Sequence, residues 1–511
     1  MTSRLFRPVV VIGNLTFISR VLGYIRDVLI ATVFGAGLST DAFFIAFKIP
    51  NFFRRIFAEG ALSQAFIPVL ASTRKKDEAS VGNLIRAVSG ALSVTIFCVV
   101  LLGVAAAPWL VYIFAPGFIA EPDKASLTAE LLRVTFPYLG FISLCALAWA
   151  ILNTYNKFAV PAFSAVLFNL VLISTILFMT DYFDTPIMAL AVGVFLGGVI
   201  QLIFSAWGIN QLGFSLLPRI NWNHPGVTRV LYLMAPAILA ASIVQINLML
   251  DLAIASFLET GSISWLYYSN RLVEFPLGVF GVALATVLLP NLSTFVAENN
   301  LRQFSSTIDW AARWATMIGL PAAVALVVLS DQMILTLFGY GAITEKDILM
   351  SSHSLAAYST GLFAFIMIKV FGPGYYARQD MRTPVKFGLI AIAVNLVFNL
   401  LLVMPFGHAG LAMATAIAAN ANALMLWYGL RKTNVYKPSS GWFVFGLRIL
   451  GATCGMSIFL FYMMSPLSDW MGWSLGLRFY HLFTIVLSGG GVYFLILFVL
   501  GLRKKHVAQL G

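Results

Sequence analysis

The sequence predicts an all-α polytopic membrane protein with about fourteen transmembrane helices. Of its 511 residues, 60% are hydrophobic and only 10% are charged, and the mean hydropathy is +0.91. Apolar runs of about 18 residues or more recur along the chain, which is the length a helix needs to cross a bilayer. Basic residues are concentrated in alternate loops, as in proteins whose cytoplasmic loops are positive. This composition excludes a soluble domain.

Hydropathy and turn residues place the helices in order along the chain. The first apolar run is long and lacks a small-residue cleavage pattern, so we expect it to remain as a helix rather than to act as a signal peptide. The three cysteines lie far apart in apolar segments, so neither a disulfide nor a thiolate metal site is expected. The predicted helices span residues 9–34, 41–70, 83–107, 127–153, 160–180, 187–210, 229–257, 263–290, 306–330, 350–376, 384–404, 410–430, 443–465 and 478–501.

The distribution of loop charges predicts the orientation of the chain. If the N-terminus is cytoplasmic, nearly all basic loop residues lie on that side, and the opposite side holds little more than Lys124 and Lys346. Both termini are therefore expected in the cytoplasm. The net charge of +12 is then a consequence of membrane topology, and no nucleic-acid partner is expected.

An internal repeat divides the helices into two groups. Residues 57–68 align with residues 279–290 at a spacing of 222, and Pro161 aligns with Pro384 at a spacing of 223. Parallel repeats of six helices are the plan of several secondary transporters. We expect two six-helix lobes, related by a pseudo-twofold axis along the membrane normal, and a C-terminal helix pair, with limits at 1–215, 216–437 and 438–511.

Five cationic side chains lie inside the first two apolar stretches: Arg20, Arg26, Lys48, Arg54 and Arg55. Each would cost about 2.5–3.5 kcal/mol at the centre of a lipid-facing helix, so they are expected to line a water-filled space. Asp27, Asp41 and Glu59 could neutralise three of them. The remaining positive charge predicts a site for a polyanion, and the excess of arginine over lysine favours bidentate binding of phosphate or carboxylate.

Helical spacing predicts which of these residues share a face. One face of the first helix holds Arg20 and Asp27, and in the eighth helix Arg271 and Glu274 are three residues apart and can pair. The second helix has a face of Asp41, Lys48, Arg55 and Glu59, with Asn51 and Arg54 beside it. The alternative is that the charges join helices to each other or reach the membrane surface.

A second group of polar residues lies in the predicted seventh, eleventh and twelfth helices. Asp251 is in the middle of an apolar helix, Asn395 and Asn399 are four residues apart, and Thr415 lies four residues beyond Leu411. Hard oxygen ligands of this kind suit a small cation. The alternative is a buried aspartate that is hydrogen-bonded to amides in a helix-packing contact.

Several motifs resemble one known family. They are Ser19-Arg20-Val-Leu-Gly23-Tyr-Ile-Arg26-Asp27, Thr40-Asp41-Ala-Phe-Phe, Arg54-Arg55-Ile-Phe-Ala-Glu59-Gly60, Arg271-Leu-Val-Glu274-Phe-Pro276 and Tyr375-Tyr-Ala-Arg378-Gln-Asp380. Over essentially the whole chain, including the number of helices, the sequence is similar to the MurJ (MviN) family of lipid II flippases.

The resemblance implies a member of the multidrug/oligosaccharidyl-lipid/polysaccharide (MOP) exporter superfamily in the bacterial inner membrane. Its substrate would be lipid II, the undecaprenyl-diphosphate-linked peptidoglycan precursor, moved from the cytoplasmic to the periplasmic leaflet for cell wall synthesis. The implied substrate-binding residues are Arg20, Arg26, Asp27, Asn51, Arg54, Arg271 and Glu274. The resemblance also implies a groove for the lipid tail in the last two helices and, as in some members, sodium binding by the second polar group.

The partners and the alternatives complete these expectations. The protein is expected to be a monomer that contacts membrane lipids and the peptidoglycan-synthesis machinery. Its transport is expected to be driven by the membrane potential, and no cofactor other than sodium is expected. A related exporter of a drug or another lipid-linked oligosaccharide stays open as an alternative, as does a membrane enzyme acting on polyprenyl diphosphates. The sequence has no nucleotide-binding P-loop and no HExxH pattern, which argues against an ATP motor and a metalloprotease.

Overall fold

A computed structural model describes the backbone of residues 2–503 and the side chains of residues 13–57, 62–234, 238, 242, 245, 246, 248–281 and 283–503. Every regular element within residues 2–503 is helical. The chain forms two compact parts, Met1–Ile263 and Ser264–Gly511. The predicted all-α fold class is therefore confirmed.

Ten α-helices and one π turn make up most of the first part. They are α1 Thr2–Phe34, α2 Leu38–Arg54, the π turn Arg55–Leu62, α3 Ser63–Lys76, α4 Val81–Ala105, α5 Ala107–Phe114, α6 Pro122–Thr135, α7 Tyr138–Thr154, α8 Ala159–Met179, α9 Met188–Asn210 and α10 Pro225–Ala255. Within it, α8 packs on α1 and α9, and α2 packs on α6.

The second part consists of further helices and a second π turn. They are α11 Ser262–Pro276, the π turn Leu277–Gly281, α12 Val282–Ala297, α13 Leu301–Val328, α14 Ser330–Phe338, α15 Glu345–Ser359, α16 Leu362–Tyr376, α17 Arg382–Lys432, α18 Trp442–Met463, α19 Leu467–Gly472 and α20 Leu475–Val499. Within it, α16 packs on α13 and α17, and α18 packs on α20.

Ten helical stretches of the described residues are long and apolar enough to cross a membrane. They are Glu78–Ala105, Pro122–Thr154, Ala159–Tyr182, Met188–Asn210, Ser262–Ala297, Leu301–Val328, Glu345–Tyr376, Arg382–Lys432, Trp442–Met463 and Leu475–Val499. The stretch Arg382–Lys432 turns at Gly407, whose φ of 55° and ψ of −131° interrupt the helix between two segments predicted separately. The number fourteen stays a prediction, because α1, α2, α3 and α10 lie outside these ten stretches.

Backbone features recur at the spacing of the internal repeat. The two π turns begin 222 residues apart, at Arg55 and Leu277. Asn156 and Gln379, which lie 223 residues apart after α7 and α16, both adopt a φ of 60°. Because residues other than glycine rarely have a positive φ, their agreement supports the predicted repeat.

The lobe limits at 215 and 437 stay predictions. Helix α10 packs against α3, α4 and the first π turn within the first compact part.

A carboxylate on α13 anchors the segment that leads into α18. Asp309 Oδ1 accepts hydrogen bonds from Tyr436 Oη at 2.9 Å and from Trp442 Nε1 at 2.6 Å. Asp309 Oδ2 accepts from Arg313 Nε at 3.0 Å, and Arg313 Nη2 donates to Ser439 Oγ at 2.7 Å. These charge-assisted bonds fix where the C-terminal helices begin.

Candidate functional site

The charged pair of α1 is buried. Arg26 is 7% exposed and Asp27 is 0% exposed. Nε and Nη2 of Arg26 donate to Oδ1 of Asp27 at 3.0 and 2.7 Å. The two charges thus compensate each other in an otherwise apolar environment, where an unpaired charge would be strongly destabilising.

An asparagine of α8 holds the same arginine. Oδ1 of Asn169 accepts from Arg26 Nη1 at 3.0 Å, and its Nδ2 donates to the carbonyl oxygens of Ser19 and Ala165, both at 3.1 Å. Sequence reasoning missed Asn169, although an amide in the middle of the apolar segment 160–180 was an available signal. It joins α8 to α1 beside the predicted site.

A second amide orients the arginine at the end of α2. Asn51 Oδ1 accepts from Arg54 Nε at 2.9 Å, and Asn51 Nδ2 donates to the carbonyl oxygen of Phe47 at 2.8 Å. Both Asn51 and Arg54 are half-buried. The structure therefore brings together two of the residues that the sequence assigned to substrate binding. Because the Asn51 amide is neutral, it does not compensate the positive charge of Arg54.

The pair predicted on α11 is confirmed. Arg271 Nη1 donates to Glu274 Oε2 at 3.2 Å, and Asn270 Nδ2 donates to Glu274 Oε1 at 2.9 Å. The Arg271 guanidinium also lies 5.5 Å from the centre of the Tyr267 ring. The side chains of Arg271 and Glu274 are 33% and 50% exposed, so this pair is much more accessible than the pair of α1.

The face predicted on the second helix stays a prediction. Asp41 is buried and Lys48 is half-buried on α2, whereas Arg55 is exposed and begins the π turn. The wider winding of a π turn rotates the side chains that follow it relative to those before it. The side chain of Glu59 lies outside the described residues. On α1, Arg20 is exposed.

Asp41 belongs instead to a buried ion pair. Its Oδ2 lies 3.3 Å from Lys124 Nζ, and both side chains are 1% exposed. The backbone N–H of Gly261 donates to Asp41 Oδ2 at 2.7 Å, and Lys124 Nζ donates to Thr260 Oγ1 at 3.0 Å. One cation beside Asp41 is therefore Lys124, which the sequence placed in a loop. That Asp41 also neutralises a cation of the first two helices stays a prediction.

The second polar group is partly assembled within α17. Asn399 Nδ2 donates to Asn395 Oδ1 at 3.1 Å, Asn395 Nδ2 donates to Thr415 Oγ1 at 3.4 Å, and Thr415 Oγ1 donates to the carbonyl oxygen of Leu411 at 3.0 Å. Asp251 is half-buried on α10, in the first compact part, and makes interactions of its own. Among the described residues, no group of three or more His, Cys, Asp or Glu side chains is placed to hold a metal ion.

The fold and the buried charges define a class of protein. The fold matches that of a solved multidrug resistance MATE family transporter of the MOP superfamily, in an inward-facing conformation, with a TM-score of 0.67 and 13% identity over 83% of this chain and 98% of that chain. Buried ionisable groups in membrane helices are typical of transport proteins. The chain therefore has the fold of a MOP-type membrane transporter.

Closer similarities identify the family. Residues 30–482 match the family model of the lipid II flippase MurJ. The probable lipid II flippase MurJ of Vibrio cholerae serotype O1 is 42% identical over 99% of this chain and 98% of its own length. A solved lipid II flippase MurJ in an inward closed conformation has a TM-score of 0.81 and 27% identity over 95% of this chain and 98% of that chain. The chain belongs to the MurJ family of lipid II flippases.

Proposed function

We propose that this protein is a lipid II flippase of the bacterial inner membrane, which moves its substrate from the cytoplasmic to the periplasmic leaflet by alternating access. It is a polytopic transporter of a flippase family and not an enzyme. The observation that carries the assignment of the binding residues is that Arg26, Arg54 and Arg271 are each held by a neighbouring oxygen acceptor. Oriented guanidinium groups are suited to a diphosphate.

The charges of the proposed binding residues match the charge of the substrate. Arg20, Arg26, Arg54 and Arg271 carry four positive charges, whereas Asp27 and Glu274 carry two negative ones. The excess of about two positive charges balances the roughly two negative charges of a diphosphate. The site with substrate bound is then nearly neutral, whereas the empty site is cationic. We therefore infer that the membrane potential drives transport.

Further parts of the proposal concern topology and partners. The concentration of basic residues in alternate loops supports cytoplasmic N- and C-termini. The substrate and the surrounding lipids are the expected partners, the protein is expected to act as a monomer, and contacts with the peptidoglycan-synthesis machinery stay a prediction. We also infer that Asn395, Asn399, Thr415 and the Leu411 carbonyl supply oxygen ligands for a sodium ion. Asp251 stays a ligand predicted from the sequence.

A reconstituted transport assay tests the function. We expect the purified protein in liposomes to expose lipid II in the opposite leaflet without changing its mass. Arg26→Ala should reduce the rate by about tenfold or more, because hydrogen bonds to charged groups are each worth about 1.5–3 kcal/mol. Arg26→Lys should recover part of it, since lysine keeps the charge but loses the fork geometry.

The matched control is Arg302→Ala, which removes an exposed arginine at the start of α13. It should transport like the unaltered protein. A changed substrate mass would favour the polyprenyl-diphosphate enzyme. Full transport of lipid II by the Arg20→Ala, Arg26→Ala, Arg54→Ala and Arg271→Ala variants would contradict the assignment of the binding residues. No transport of lipid II by the unaltered protein would favour an exporter of a different substrate.

A further inference from the structure

The Asn169 side chain makes four hydrogen bonds at the place where α8 meets α1. Its side chain is the acceptor for Arg26 Nη1 and the donor to the carbonyl oxygen of Ser19, seven residues earlier on α1. The Arg26 side chain therefore extends back toward the N-terminus of its helix, the direction in which helical side chains lean. Asn169 is 7% exposed, so this geometry is enclosed by protein.

Gly23 provides the space for this contact. A Cβ atom at Gly23 would lie 3.7 Å from both side-chain atoms Nδ2 and Oδ1 of Asn169, which is ordinary van der Waals distance. A side chain longer than alanine at residue 23 would meet the amide directly. The sequence of α1 thus leaves room for one polar side chain of α8, and that side chain points at Arg26.

The charge of this group explains why an amide suits the position. Arg26 and Asp27 together carry no net charge, and Asp27 already occupies Nε and Nη2 of the guanidinium. Asn169 binds Nη1 and adds no charge. A carboxylate in the same place would give the group a net negative charge and would oppose an approaching anion, because like charges held close together cost several kcal/mol.

We propose that Asn169 is a positioning residue for the substrate diphosphate: it fixes the orientation of the Arg26 guanidinium while keeping the buried group electrically neutral. This inference rests on the proposed function, in which Arg26 binds a diphosphate. Its chemistry requires an uncharged oxygen acceptor that is pinned by its own donor bonds to Ser19 and Ala165.

The test separates the effect on binding of the charge at residue 169 from the effect of the shape of its side chain. Binding of undecaprenyl diphosphate in detergent micelles is measured for the full chain and for four variants. Asn169→Asp should weaken binding by about tenfold or more. The free energy that corresponds to a tenfold loss of affinity is smaller than the repulsion between like charges held close together. Asn169→Leu, which is neutral and of similar size, should weaken it by a few fold through loss of orientation.

The double variant Asp27→Asn with Asn169→Asp restores one carboxylate beside Arg26. We expect it to bind more tightly than Asn169→Asp by about threefold or more, because the group is neutral again, but less tightly than the unaltered protein, because a carboxylate cannot donate to the carbonyl oxygens of Ser19 and Ala165. A purely structural defect at residue 169 would not be recovered by a second change. Ser174→Ala is the control on the same helix, because Ser174 is exposed and bonds only to its own helix at Leu170 in the described contacts.

Three results would overturn the inference. The first is undiminished binding by Asn169→Asp. The second is a double variant that binds as poorly as Asn169→Asp while melting at the temperature of the unaltered protein. The third is undiminished binding by Asn169→Leu, which decides the question if the aspartate variants do not fold. If Arg26→Ala itself binds normally, the proposed diphosphate site fails, and this outcome is separate from a failure confined to Asn169.

Discussion

At the scale of single residues, the buried ammonium of Lys124 has two carboxylate partners in different surroundings. Asp41 lies 3.3 Å away and is 1% exposed, whereas Glu121 lies 3.7 Å away and is 41% exposed. The Phe118 ring, with its centre 4.4 Å from the ammonium, covers another side. Loss of a buried partner leaves a charge without compensation, whereas an exposed pair contributes little to stability.

We expect Asp41→Asn to lower the free energy of unfolding by about 3–5 kcal/mol, because Lys124 would stay buried beside a neutral side chain. Glu121→Gln, the matched control, should lower it by no more than about 1 kcal/mol, because solvent screens that pair. Denaturant unfolding of both variants in the same detergent measures the difference. Equal losses would contradict the assignment of Asp41 as the principal partner.

The sequence identified several important side chains but not all of their partners. Arg271 and Glu274 could be paired from the sequence because they lie within one turn of a single helix. The bond between Asn51 and Arg54, which are also three residues apart, was not predicted. Asn169 lies 143 residues from Arg26, and no helical periodicity relates residues on two helices. Long-range partners of this kind depend on how helices pack, which a single sequence does not specify.

At the scale of secondary structure, α17 shows how one interruption assembles a polar group. Asn395 and Asn399 precede the break at Gly407, and Leu411 and Thr415 follow it. The positive φ of Gly407 lets the helix reverse within a few residues, as glycine permits at low cost. The two amide side chains, 1% and 0% exposed, consequently meet the hydroxyl of Thr415.

Sodium should raise the melting temperature of the detergent-solubilised protein relative to potassium or choline at equal ionic strength. An ion that binds only the folded state stabilises it, by about 2.7 kcal/mol at one hundred times its dissociation constant. Asn399→Leu should abolish the difference, because it removes a ligand. Asn420→Ala, which alters an exposed amide on α17, should retain it. The same melting temperature for the unaltered protein in all three salts would leave Asn395, Asn399 and Thr415 as a helix-packing group.

Hydropathy predicted the elements better than their irregularities. Predicted helices at 384–404 and 410–430 lie on either side of Gly407, because proline and glycine mark the break in sequence. The π turn Arg55–Leu62 was not predicted, since its winding changes which face a residue occupies without changing how apolar the segment is.

At the scale of the whole molecule, we propose that the binding residues couple transport to the membrane voltage. Each elementary charge that crosses the full potential gains or loses about 2.3 kcal/mol per 100 mV. With a negative cytoplasm, the anionic headgroup is driven outward and the empty cationic protein is drawn back. Both halves of the transport cycle are then favoured by the same field.

Collapse of the potential with an ionophore at constant pH should therefore stop delivery of lipid II to the outer leaflet. Removal of ATP while the potential is maintained should leave delivery unchanged over the time of the assay. Leaflet-specific labelling of lipid II in cells or liposomes measures both conditions. Delivery that continues at the same rate after depolarisation would contradict voltage coupling and would indicate coupling to an ion gradient instead.

The two π turns also bear on how the chain could have arisen. They begin at Arg55 and Leu277, at equivalent places of the predicted repeat. Duplication of a shorter segment that already contained a widened turn would produce both turns in a single event, whereas separate origins would need two events at matching positions.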